Sequence, residues 1–100
     1  MDMKQIQKML KQAQGMQKKL EEEMDQLSVE ASSGGGMVTV VLDGRKNLKS
    51  IRLRPEAVDP EDVEMLQDLI LAASAEASRK VDEALSAQLG GLGGGLPGGV

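Results

Sequence analysis

Ten cations in two runs are the residues best suited to chemistry: Lys4, Lys8, Lys11, Lys18 and Lys19, then Arg45, Lys46, Lys49, Arg52 and Arg54. Between Lys4 and Lys19 there is no acid, so these charges have no carboxylate one helical turn away within their own run. Unpartnered ammonium groups at such spacing neutralise phosphates and release counterions, which gives affinity without reading bases. No other residue set offers comparable chemistry. The chain has no His and no Cys, so the commonest general base, thiolate nucleophiles and the usual zinc ligands are missing. Seven Ser and one Thr therefore lack the partner that would activate them. Glu21-Glu22-Glu23 and Glu61-Asp62 are acidic clusters without metal-ligand spacing. Gly34-Gly35-Gly36 lacks the Lys-Ser/Thr sequel of a phosphate-binding loop and precedes a strand, so it reads as a turn. No enzymatic activity, cofactor, metal or small-molecule substrate is expected. Absence of Phe, Tyr and Trp excludes stacking of bases on aromatic rings.

The net charge of −4 opposes polyanion binding when taken alone, but it is unevenly distributed. Residues 1–19 carry +4, 20–42 carry −5, 43–54 carry +4 and 55–100 carry −7. Binding through the two basic blocks should be modest and steeply salt-dependent.

These blocks need elements to position them. Apolar residues at Met3, Ile6, Leu10, Ala13, Leu20, Met24 and Leu27 alternate steps of three and four, broken only by Gln17. That stripe predicts a long helix over residues 2–27, with Lys4, Lys8, Lys11 and Lys18 on its outer face and Lys19 beside them. Its narrowness suits pairing with another chain. Residues 28–54 predict three short strands in an antiparallel meander. Val29 and Ala31 lie in the first, Met37–Leu42 form a β-branched second, and Leu48–Leu53 the third, ended by Pro55. Val38, Val40 and Leu42 share one face, as do Ile51 and Leu53, while Ser50, Arg52 and Arg54 point the other way. Asp59-Pro60-Glu61-Asp62 reads as the start of a second helix over residues 60–89, with Asp59 as N-cap. The Gly/Leu/Pro run over 90–100 reads as a flexible tail.

The expected fold is thus α+β, an α-β-β-β-α single domain over 1–89 plus a tail. Without the first helix and the tail, about 60 residues remain for a core, which is marginal alone. Around Leu69–Ala73 the second helix is apolar on every side, so a homodimer is expected. Its interface would use Val38, Val40, Leu66, Leu69, Ile70 and Ala73, formed through helix 2 or the sheet edge. No apolar run is long enough for a membrane span, and Lys4, Lys8 and Lys11 interrupt any signal-peptide core. The expected location is the cytoplasm.

Three stretches carry a resemblance: Met3–Leu20, Ser33–Val40 and Val58–Ala73. In type, order and spacing they resemble the YbaB/EbfC family of bacterial nucleoid-associated proteins, over nearly the whole chain. Ala75 departs from that pattern, where family members often carry Asn. The resemblance implies a tweezer-like homodimer with projecting first helices. It implies binding to double-stranded DNA at the nucleoid, altered DNA conformation, and a role in nucleoid organisation or gene regulation. All ten cations are the expected phosphate contacts, with low sequence specificity, since no recognition helix is apparent. The alternative is an adaptor for recombination, repair or replication proteins, engaged through Met9, Met16 and Met24 and the tail.

Overall fold

The computed structural model describes residues 2–93, in the order α1 (Met3–Gln26), β1 (Ser28–Ser33), β2 (Val38–Asp43), β3 (Leu48–Leu53), a single 3-10 turn (Pro55–Ala57) and α2 (Val63–Gly93). The expected α-β-β-β-α order and antiparallel meander are both present, with strand order β1-β2-β3.

Helix α1 starts where the Asp2 carboxylate accepts from the Lys4 N–H at 3.3 Å, occupying one orphan donor of the first turn. It ends at Leu27, whose N–H still donates to Glu23 O while its own backbone is extended and leads into β1. Every residue from Asp2 to Lys19 is exposed; only Leu20, Glu23 and Met24 near the base are partly covered. The helix therefore projects from the body. The radius of gyration, 19.5 Å, exceeds the roughly 13 Å of a compact chain this size.

The meander forms because its β-branched residues alternate and its turns carry the right chemistry. Gly34, Gly35 and Gly36 form the β1–β2 turn expected of them, and all three take positive φ there. The Ser33 hydroxyl donates to Leu69 O at 2.6 Å and ties that turn to α2. In the β2–β3 turn, Asp43 Oδ1 accepts from the N–H groups of Arg45 and Asn47, both at 2.9 Å, and Oδ2 accepts from Asn47 Nδ2.

Helix α2 lies across β1 and β2. Ala31, Val38, Val40 and Leu42 meet Ala73, Ala77 and Val81, with Leu27, Val29, Leu66, Leu69, Ile70 and Leu85 packed around them. The small Ala73 and Ala77 let the helix backbone approach the sheet closely. Strand β3 is exposed along its whole length.

Three expectations need correction. Helix α2 begins at Val63, not residue 60: Asp59 instead caps a preceding turn by accepting from the Glu61 N–H at 2.9 Å. The true N-cap is Asp62, whose Oδ1 accepts from the Met65 N–H at 3.2 Å. The helix also continues through Gly90 to Gly93, where a flexible tail was expected, since extending a formed helix adds a hydrogen bond per residue. The rest of the expected tail, 94–100, lies outside the described residues. Finally, Val38, Val40 and Ala73 are 0% exposed within one chain, so they have no surface left to offer a second subunit. Leu66, Leu69 and Ile70 are half-buried against the same core. Around Leu69–Ala73, Leu71 and Ala72 stay exposed, Leu71 at 68%.

Candidate nucleic-acid interface

On α1, the periodicity of 3.6 residues per turn puts Lys4, Lys8, Lys11, Lys18 and Lys19 within an arc of about 100°. Met3, Ile6, Leu10, Ala13 and Leu20 take the opposite side. From Lys4 to Lys18 the rail extends about 21 Å, the length of roughly six phosphate steps along one DNA strand. All five lysines are exposed, and none has a carboxylate within ion-pair distance among the described residues. Their charge is uncompensated.

The hairpin cations differ. Arg45 Nε lies 2.9 Å from Asp25 of α1, and Lys46 Nζ 3.0 Å from Asp82 of α2. Lys49 Nζ lies 3.6 Å from Asp43 Oδ2, and Arg52 pairs with Glu30 on β1. Four of the five are thus held by acids of the same chain. The three pairs exposed on both sides, those of Arg45, Lys46 and Arg52, are worth little in stability, yet each of the four acids lowers the local potential available to a phosphate. Arg54 is the exception: it has no carboxylate partner among the described residues. It lies over Gly36 and lines an open hollow of about 270 Å³ with Thr39, Arg52 and Leu53.

The ten cations do not merge into one patch. Glu21, Glu22, Glu23 and Asp25 lie between the rail and the hairpin, and Glu22 falls on the lysine side of the helix. Arg52 and Arg54 occupy the sheet face opposite α2, as their alternation requires, beside the Ser32–Thr39 hydroxyl pair at 2.9 Å.

Acids 20 to 36 positions away in sequence therefore decide which cations are free, and Asp25, Asp82 and Glu30 carried no signal for that role. Asp43 did carry one, as an Asp-Gly turn start. It is buried, at 5% exposure, and its carboxyl is held below the ordinary range. The main cause is the Asn47 N–H; partial desolvation opposes it, and the Asn47 amide, the Arg45 N–H and Lys49 reinforce it. No group of three or more His, Cys, Asp or Glu that could hold a metal occurs among the described residues.

Comparison with known proteins points the same way. The sequence pattern of the YbaB/EbfC DNA-binding family matches residues 3–96. A protein named nucleoid-associated protein from Acetivibrio thermocellus is 56% identical over 96 residues, covering 93% of this chain and 85% of that one. A second, from Pelotomaculum thermopropionicum, is 51% identical over 92 residues, covering 89% and 88%. The crystal structure of the uncharacterized protein HP0035 from Helicobacter pylori superposes with a TM-score of 0.77 at 26% identity, over 94% of this chain and 99% of that one.

Proposed function

The chain belongs to the YbaB/EbfC DNA-binding family, and from that premise we propose that it is a homodimeric nucleoid-associated protein that grips double-stranded DNA through α1. Lysines of α1 neutralise phosphates along the duplex and bases are not read, so sequence specificity is low. Two such helices in a dimer bear on one duplex and alter its conformation. Its place is the nucleoid; no described helix is long and apolar enough to cross a membrane.

One observation carries this reading: five exposed lysines share one helical arc without a single acid partner among the described residues. Arg54 adds a free guanidinium on the sheet, while Arg45, Lys46, Lys49 and Arg52 contribute less because their charge is already compensated. The homodimer is supported by apolar residues that one chain leaves bare, Leu48, Ile51 and Leu53 on β3 and Leu71 on α2.

The test is duplex affinity against salt, by fluorescence anisotropy on unrelated sequences. Affinity should fall linearly on logarithmic axes, alike for every sequence, with a slope of about −0.9 per phosphate neutralised. Lack of binding at low salt would end this reading.

A second reading, an adaptor for recombination, repair or replication proteins, is favoured by one feature. Ile6, Met9, Leu10 and Ala13 line an apolar hollow of about 350 Å³ on α1, away from the lysines. A stoichiometric protein partner recovered after nuclease treatment would support it.

A further inference from the structure

We propose that the β2–β3 turn is a clasp that fixes the direction in which α1 projects, with Gly44 as its closure. This rests on the reading of α1 as the DNA-gripping arm, but the clasp itself is a property of the free protein.

Helix α1 leaves the body with no support over its first seventeen residues, since every one from Met3 to Lys19 is exposed. Its direction must be set at the base. There the Gly44 N–H donates to Met24 O at 2.9 Å, a bond from the turn to the last helical turn. Gly44 is buried, and a Cβ added to it would lie 2.6 Å from both Cα and O of Met24 and 3.0 Å from its carbonyl carbon. These are backbone atoms, so no rotamer change relieves the overlap; the helix itself must move. The next two residues of the turn are also held: Arg45 pairs with Asp25 of α1, and Lys46 with Asp82 of α2. The turn thus ties α1 to the body through a backbone bond followed by two ion pairs. Asp43 makes the turn rigid by accepting from three N–H donors of Arg45 and Asn47. One group opposes closure: Glu23 Oε2 is shielded from solvent without a hydrogen-bond partner, and it would regain water if the helix swung away.

The lever is long. A rotation of about 15° at the clasp moves the tip of this 24-residue helix by roughly 9 Å, more than two base-pair steps of DNA. Gly44 is therefore a positioning residue for lysines that it never touches.

The test uses the full chain, which has no Cys. Spin labels at Gln7→Cys on α1 and Ser86→Cys on α2 report the intrachain distance by electron–electron double resonance, with labelled chains diluted in unlabelled ones. The expected result is one narrow distance in the parent and a distribution shifted or broadened by several ångströms in Gly44→Ala, with the core melting cooperatively in both. An unchanged distribution in a folded Gly44→Ala protein overturns the clasp. A shifted arm with unchanged DNA affinity upholds the clasp and counts against α1 as the gripping arm. Should Gly44→Ala fail to fold, amide exchange in the parent decides. A Gly44 N–H protected as well as the sheet supports the clasp, and exchange at the rate of an open turn overturns it.

Discussion

Leu48 stands opposite Leu42, although Val41 stands opposite Ser50, because the bulge between Val41 and Leu42 leaves Lys49 as an extra residue on β3. Strict alternation would put Leu48 on the face of Ser50 and Arg52. The bulge returns it to the side of Ile51 and Leu53, so all three point toward the α2 side of the sheet. Helix α2 covers only β1 and β2, and these residues remain 57%, 42% and 40% exposed.

From this follows a prediction about assembly. A charge at the centre of that strip should disrupt the dimer while leaving the protomer core, which β3 side chains barely enter, intact. Ile51→Glu is expected to weaken self-association by about 2 kcal/mol, a thirtyfold rise in Kd. Sedimentation velocity across a dilution series measures it, with circular dichroism reporting the fold. Dimers that persist at the parent's Kd would place the interface elsewhere.

The start of α2 supplies a second expectation. Asp62 accepts from the Met65 N–H as the N-cap, whereas Asp59 serves the turn before it. Asp62→Ala should therefore cost about 1 kcal/mol of unfolding free energy, and Asp59→Ala clearly less. Urea titrations of the two variants separate them, and the reverse order would return the cap to Asp59.

Local pattern made much of this legible. The three-four spacing from Met3 to Leu27 encodes α1, and the buried face of β2 follows from alternation at Val38, Val40 and Leu42. Arg52 and Arg54 stay on their expected face because the bulge lies before them. Other features depend on tertiary distance. Nothing near Arg45 or Lys46 in sequence announces that Asp25 and Asp82 will fold against them. Two Asp residues three apart, with Pro between, offer two plausible caps, and only the path of the chain selects Asp62. Val38, Val40 and Ala73, expected at the interface with a partner, are core of the single chain, because periodicity gives a buried face without saying whose atoms bury it.

Acid should loosen the hairpin turn. The Asp43 carboxyl is lowered in the folded chain relative to its ordinary value of 3.8, chiefly by the Asn47 N–H. A lowered carboxyl stabilises the fold fully at pH values above the unfolded value, and that contribution is lost as pH falls through the folded one. Stability of the parent should thus drop below about pH 4, and Asp43→Asn should be less stable at neutral pH but show a flatter decline in that range. Thermal melts between pH 3 and 7 provide the comparison; parallel curves would mean that Asp43 contributes nothing to the acid response.

The two sets of cations should respond differently to neutralisation. Lys4, Lys8 and Lys11 are uncompensated, so changing all three to Gln removes up to three phosphate contacts and should flatten the salt slope by about 2.7. Arg45, Lys46 and Lys49 each already face a carboxylate. A phosphate must displace that acid, so the corresponding triple Gln variant gives up fewer phosphate contacts, while Asp25, Asp82 and Asp43 each lose a partner. Its slope should fall by less than half as much, although both variants lose three formal charges. If affinity simply followed net charge, the two would behave alike. Parallel anisotropy titrations at several salt concentrations distinguish these cases. Equal slopes would mean that the ion pairs at the hairpin open freely in the complex, and that both patches bear on the duplex.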